Sequence, residues 1–233
     1  MPVITTSPDR GALSGPLAGV SFVAGVAGAM ALADDPYPRP GAEPAKVRQY
    51  FGNNAGPARF SAAGQAISAA ALVRFTASVA TLAGRSGRGS RAVQAAAVAG
   101  GGLAAASLAT ASACAAALTG RPGRQDASAA ALARRGFIAG GPVHAVGFGL
   151  LVGALGLAGL RTGELPRPLA VAGLASATAS LLSPLYFVAE PAGWLIPVGR
   201  FSGLLVSGIA GVQLASGPPA SGDALAADGN SES

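Results

Sequence analysis

The chain has 233 residues, of which 51% are hydrophobic and only 11% are charged, and its formal net charge is +6. Soluble domains carry about 25% charged residues, so this composition excludes a globule whose whole surface faces water. The basic balance does not indicate nucleic-acid binding either, because the arginines stand between apolar segments and form no basic stripe on one domain.

Six apolar stretches are each long enough to cross a bilayer, since a spanning helix needs about 20 mostly apolar residues. The sequence therefore predicts an all-α fold: a polytopic transmembrane helical bundle forming one domain over residues 1–215. We expect the first helix to stay uncleaved, because its apolar run exceeds the roughly 7–15 residues of a signal-peptide core. The predicted spans are 11–33, 61–83, 92–118, 138–160, 169–189 and 195–215.

Two of the connections are long enough for additional helices. In the first, residues 34–60, a turn-rich start precedes a predicted interfacial helix over Glu43–Phe51, with Pro44 suited to its first turn. The third, residues 119–137, predicts a second interfacial helix near 127–135. Residues 216–233 are acidic and rich in Gly, Pro and Ser, so we expect a disordered tail there.

Six crossings place the connections alternately on two faces of the membrane. We define face A by both termini and the loops 84–91 and 161–168, and face B by the loops 34–60, 119–137 and 190–194. Most aromatic residues fall at or near face B, which favours six crossings because aromatic side chains prefer the headgroup level.

We expect a multi-pass protein of the bacterial inner (plasma) membrane. Ala, Gly, Pro and Arg dominate and Lys46 is the single lysine, a composition typical of actinobacterial coding. The arginine count leans slightly toward a cytoplasmic face B. The first helix, however, resembles a signal anchor, and on that ground we predict that both termini are cytoplasmic.

Arg74 is the deepest charge in the predicted bundle, about halfway along the second span. A central arginine costs about 2.5–3.5 kcal/mol on insertion scales, so it should face the bundle interior or water, or extend toward a headgroup. One interpretation is that Arg74 is a functional residue. The alternative is that it only bonds backbone carbonyls.

A layer of polar groups is predicted near face B. Gln65, His144 and Arg200 lie five or six residues inside their predicted helices, which corresponds to roughly 8–10 Å below the boundary. These groups either satisfy one another and fix the bundle, or bind a small anion, a lipid headgroup or a proton. Three further candidates lie close to this layer in the sequence: Tyr186, Glu190 and Trp194. The short connection allows Glu190 to pair with Arg200.

No catalytic residue, metal site or cofactor is indicated. The chain has one histidine and one cysteine, Cys114, and lacks a metalloprotease, serine-hydrolase or phosphate-loop motif. We therefore predict a non-enzymatic integral membrane protein that contacts membrane lipids and binds a lipid, a small solute or a partner protein at face B. The alternative is a small solute transporter or proton-linked carrier that uses Arg74, His144, Glu190 and Arg200.

Four sequence elements resemble an uncharacterised family of six-helix membrane proteins from actinobacteria. They are Glu43–Phe51, Gly140–His144, Leu165–Leu169 and Ile196–Gly203. The resemblance spans about residues 8–215 and implies the six-helix membrane fold. It implies no activity.

Overall fold

The computed structural model describes residues 8–217, apart from the side chains of residues 187 and 190. This part of the chain contains helices and no strand, and six of its helical segments are long and apolar enough to cross a membrane, which confirms the predicted all-α bundle. The predicted tail lies outside the described residues from residue 218 onward. The helices are α1 (Ser14–Leu32), α2 (Pro44–Asn53), α3 (Ala55–Gly84), α4 (Ser90–Leu118), α5 (Asp126–Ile138), α6 (His144–Thr162), α7 (Arg167–Leu182) and α8 (Leu195–Ser216).

The fourth span differs from its prediction because α5 and α6 form one continuous helical segment, Asp126–Thr162. A π-turn over Ala139–Val143, which contains Pro142, joins them. Proline inside a regular helix lacks an N–H and crowds the carbonyl four residues earlier, and the wider π-turn accommodates this defect without ending the helix. The predicted interfacial helix near 127–135 is therefore the first part of a longer rod.

The fifth span ends earlier than predicted. We expected Pro184 to kink a helix over 169–189 by freeing the carbonyl of Ser180. In the structure α7 stops at Leu182 and a 3-10 helix, Ser183–Phe187, follows it. The Ser183 hydroxyl donates to the Ser180 carbonyl oxygen at 2.7 Å, so the freed acceptor is satisfied locally.

Small residues set how closely the helices approach. Within a bilayer, apolar burial gives little drive for association, so close backbone contact becomes decisive. Gly25 of α1 lies against Gly64 of α3, and Gly100 of α4 lies against Gly147 of α6. The α5–α6 rod is the inner element, because 67% of its most apolar window is buried, against 33% for α1 and 39% for α8.

Two separate hydrophobic clusters are present. The larger one fills the bundle around side chains such as Phe75 and Phe148. The smaller one lies at face B, where α2 packs on α5 through Val47, Phe51 and Ala129. We call α2, the segment before it and the first part of α5 the cap. The Arg48–Asp126 ion pair, at 3.3 Å, also joins α2 to α5.

Replacing Gly100 by alanine should lower the free energy of unfolding by about 1–3 kcal/mol, because a methyl group there would lie 2.7 Å from the Gly147 carbonyl oxygen. Gly102 is the matched control in the same helix, since a methyl group there meets nothing within 4 Å. Unfolding in mixed micelles, followed by circular dichroism, measures both variants. Equal losses in Gly100→Ala and Gly102→Ala would contradict the packing role of Gly100.

Candidate functional site

A cavity of about 890 Å³ separates the cap from the bundle core. This volume falls in the range of about 300–1,000 Å³ that is typical of small-molecule sites. Its walls are mainly apolar and come from α1, α4, α5 and α8, while residues 37–42 form a roof at face B. Representative wall residues are Phe22, Val26, Ala111, Leu118, Phe137 and Ile196.

Arg200 of α8 is the inner charge of this cavity. Its Nη2 donates to the carbonyl oxygens of Gly140 and Gly141, the latter at 3.3 Å. Its guanidinium carbon lies 5.2 Å from the centre of the Phe22 ring, within reach of a cation–π contact. Its Nε atom is buried and has no hydrogen-bond partner among the described residues. The arginine is thus held by neutral groups and keeps one donor unused.

The π-turn explains why backbone carbonyls are available to Arg200. In a regular α-helix the N–H of His144 would bond to the carbonyl of Gly140. Here that N–H donates to the carbonyls of Ala139 and Gly141. The Gly140 carbonyl therefore does not receive this bond, and it accepts from the guanidinium.

The charged residues among the described lining of the cavity are all basic. Arg39, Arg134 and Arg200 line it, and none of the described lining residues is acidic. Arg39 and Arg134 are exposed at the rim, whereas Arg200 lies inside. Among the described side chains Arg200 has no ionic partner, and a buried charge in that state is costly, so an anion in the cavity would be stabilised. Within residues 8–217 no group of three or more His, Cys, Asp and Glu side chains is placed to hold a metal ion.

The structure brings together three of the residues singled out from the sequence. Gln65 and Tyr186 line the cavity with Arg200. The Gln65 amide donates to the Ser61 hydroxyl at 3.2 Å, and the Tyr186 ring packs edge-on against Phe137 with centres 6.2 Å apart. Gln65, Tyr186 and Arg200 thus make up a polar part of the cavity wall.

Two other candidates near face B do not join that wall. Trp194 is 76% exposed and is not among the cavity residues. The side chain of Glu190 lies outside the described part of the structure, so its pairing with Arg200 stays a prediction.

His144 lies farther along its helix than the predicted span of 138–160 implies. The helix that carries it begins at Asp126 and not near residue 138, so His144 stands far along the rod. Its Nδ1 lies 3.1 Å from the carbonyl oxygen of Ala104, halfway along α4. Because a carbonyl oxygen only accepts, Nδ1 is the protonated nitrogen. The buried imidazole is therefore a structural donor to the middle of α4.

Aromatic rings separate His144 from the cavity. Phe22 stacks on one side, with ring centres 6.5 Å apart, and Phe148 stacks at 5.6 Å. Phe22 belongs to the cavity wall, whereas His144 does not. The ring of Phe22 is thus the floor between the cavity and the imidazole.

Arg74 does not belong to this site. It lies on the exposed side of α3, and its guanidinium covers Gly11 at the face-A end of the first span. A methyl group at Gly11 would come within 2.8 Å of the Arg74 Nη2 atom. The side chain thus extends from mid-helix toward face A, as long basic side chains do in membranes. The sequence allows Arg74 to face the bundle interior, to face water or to extend toward a headgroup. This placement fits the third of these.

The cap contributes residues that the sequence did not single out as functional. Asn54 is buried at the junction of α2 and α3, where its amide oxygen accepts from the Asp34 N–H at 2.9 Å. Its amide nitrogen donates to an Asp35 carboxylate oxygen at 3.3 Å and to the Tyr50 carbonyl at 3.1 Å. The predicted helix over Glu43–Phe51 ends close to this residue, but no local signal shows that this side chain fixes the roof.

Aromatic rings support the same roof. Tyr37 packs edge-on against Tyr50 and Phe51, with ring centres 5.3 and 6.0 Å apart. Burial and, to a lesser extent, the Asp35 carboxylate raise the pKa of Tyr50, which keeps this phenol neutral. Together with Asn54, these rings hold residues 34–42 over the cavity.

Asn54→Ala should increase tryptic cleavage after Lys46 and Arg48, because cleavage within α2 requires local opening and this variant removes three hydrogen bonds that oppose it. We expect local opening to become easier by about 1–3 kcal/mol. Asn53→Ala is the matched control, since Asn53 is exposed and makes one 3.4 Å bond. Equal cleavage rates in the two variants would show that Asn54 does not hold the cap.

No protein-family model, curated protein or solved structure matches this chain. The resemblance to an actinobacterial membrane family therefore stays a prediction. What supports a function is the chemistry of the cavity.

Proposed function

We propose that this integral membrane protein binds a small amphipathic anion in its face-B cavity and catalyses no reaction on it. The ligand would have an apolar body and one acidic group placed beside Arg200. The observation that carries the proposal is a largely apolar cavity of about 890 Å³ whose inner charge is an arginine with a buried, unused Nε donor.

The walls favour an apolar ligand body. Phe22, Val26, Leu118 and Ile196 surround the space with hydrocarbon side chains, and α4 contributes small residues such as Ala111. An apolar chain in this space would gain roughly 25 cal/mol for each Å² of surface that it removes from water. Sugars and other strongly polar solutes would lose hydrogen bonds to water without regaining them.

Arg200 favours a carboxylate, sulfate or phosphate as the polar group. Guanidinium groups bind such anions through paired N–H donors, and these charge-assisted bonds are roughly twice as strong as neutral ones. The two carbonyl partners of Arg200 accept from Nη2, and they leave its positive charge without a negative partner among the described residues. The rim arginines, Arg39 and Arg134, add attraction for negative charge.

Transport is the alternative function. The placement of Arg74 and His144, two of the residues that a carrier is predicted to use, supports binding instead. A carrier needs polar groups that continue from the cavity toward the other face. Here Phe22 covers His144, and Arg74 lies on the outer surface of α3 at the face-A end. These residues therefore do not continue the polar wall of the cavity.

We also propose a plasma-membrane location with both termini in the cytoplasm. The support is the first span, whose length and sequence are those of a signal anchor. In this orientation the cavity opens at the extracytoplasmic half of the membrane.

Dodecanoate should raise the melting temperature of the protein in a neutral maltoside detergent more than dodecanol does. At 100 times its dissociation constant, a ligand stabilises the folded state by about 2.7 kcal/mol. The two amphiphiles have chains of equal length, so the difference between them reports the contribution of the acidic group. Differential scanning fluorimetry over a concentration series measures it.

The control compares two membrane arginines. Arg200→Gln should abolish the preference for dodecanoate, and Arg200→Lys should retain part of it. Arg74→Gln should keep the full preference, because Arg74 lies outside the cavity. Equal shifts by acid, alcohol and a dodecyl ammonium salt would overturn the proposal, as would the absence of any shift.

A further inference from the structure

Helices α1 and α8 pack tightly at their face-A ends. Gly211 of α8 lies against the Ala12 carbonyl, and a methyl group on Gly15 would lie 2.7 Å from the Ser207 carbonyl oxygen. One turn further along α1 the contact is looser, since a methyl group on Gly19 would lie 3.8 Å from the nearest atoms of Leu204. The gap between these helices therefore widens toward face B.

Each helix contacts a different neighbour in its face-B half. There α1 packs on α3, where Gly25 meets Gly64, whereas α8 packs on α7, where Gly199 meets Ser180. The cavity occupies the space that opens between them. Its wall on this side comes from Phe22 and Val26 of α1 and from Ile196, Pro197, Arg200 and Phe201 of α8.

The lip of this gap faces lipid. Both helices are peripheral, with 33% and 39% of their most apolar windows buried. Phe201 lines the cavity and is also 50% exposed, so one ring contacts both the cavity and the outer surface. It stands six residues past the start of α8, which corresponds to about 9 Å along the helix axis.

The roof covers the cavity on its aqueous side. Tyr37, Pro38, Arg39 and Ala42 also line a second pocket of about 560 Å³, so a single layer of chain separates the two. Asn54 and the aromatic rings hold that layer in place. Across the gap, Phe22 of α1 meets the Arg200 guanidinium of α8 at the floor of the cavity, below the lip.

From this arrangement we infer that the ligand enters the cavity sideways from the bilayer, between the face-B halves of α1 and α8, and that it is a membrane-dissolved lipid with an anionic head. The inference rests on the proposed function and adds the class of ligand and its route. Arg200 meets the head near the depth at which the lipid already lies. The chain then stays in apolar surroundings throughout.

A cleavable cross-link across the gap tests the route. In a Cys114→Ala background, Val26→Cys and Ile196→Cys are joined by a bis-maleimide that contains a disulfide, and vesicles supply a pyrene-labelled fatty acid to the protein in nanodiscs. Linking should slow loading about tenfold relative to the same variant before it is linked, and reduction should restore that variant's own rate. The matched control links Pro16→Cys to Gly208→Cys at the closed end, where the Gly208 methyl position lies 3.9 Å from the Pro16 Cα. That link should not change the loading rate.

The native thiol gives a second measurement that needs no cross-link. Cys114 lines the cavity and is buried. In nanodiscs it should react about tenfold faster with an alkyl maleimide dissolved in the bilayer than with a sulfonated maleimide in water. Gln49→Cys in the Cys114→Ala background is the control, since residue 49 is exposed in the second pocket and is open to the aqueous reagent.

The outcomes separate the route from the binding itself. Unchanged loading after linking, or equal labelling of Cys114 by both reagents, overturns lateral loading but leaves anion binding in place. Failure of the parent protein to bind the pyrene fatty acid, even in detergent without a bilayer barrier, overturns the proposed function.

Discussion

The hydrogen bonds from Arg200 to the carbonyls of Gly140 and Gly141 connect the last membrane helix to the π-turn of the inner rod. A charge at this depth must find polar partners, because lipid offers none. The π-turn supplies them where a regular helix would keep its carbonyls engaged. The position of α8 beside the cavity, the burial of Nε without a hydrogen-bond partner among the described residues and the contact with Phe22 all accompany this one arrangement.

Glycine contacts decide where the bundle is closed and where it is open. Gly15 and Gly211 let α1 and α8 meet at face A, while Gly25 and Gly199 direct the same helices to different neighbours at face B. The bundle is therefore solid in one half and hollow in the other. In the hollow half the cap adds a separate hydrophobic cluster around Phe51, which closes the space from above without filling it.

The sequence predicted the helical fold well, because hydropathy over about 20 residues is a local property. The same local signals marked the start of α2 at Pro44 and the position of Arg200 inside its helix. They failed for His144, since placing it required knowing that a proline-containing π-turn would carry the helix on from Asp126. The cavity could not be predicted from the sequence either. Phe22 and Asn54 shape it through contacts with distant parts of the chain, and the residues next to them in the sequence give no sign of these contacts.

The π-turn also sets the rotational phase of α5 relative to α6. A π-turn holds one residue more than the α-helical pattern, and one residue corresponds to about 100° of rotation about the axis. That extra residue determines which stripe of α5, including Phe137 and Arg134, is presented to the cavity. A rod with that residue deleted would keep its length and its apolar character, yet it would turn a different stripe inward. The chemistry of the cavity therefore depends on a one-residue irregularity that the hydropathy of the chain does not record.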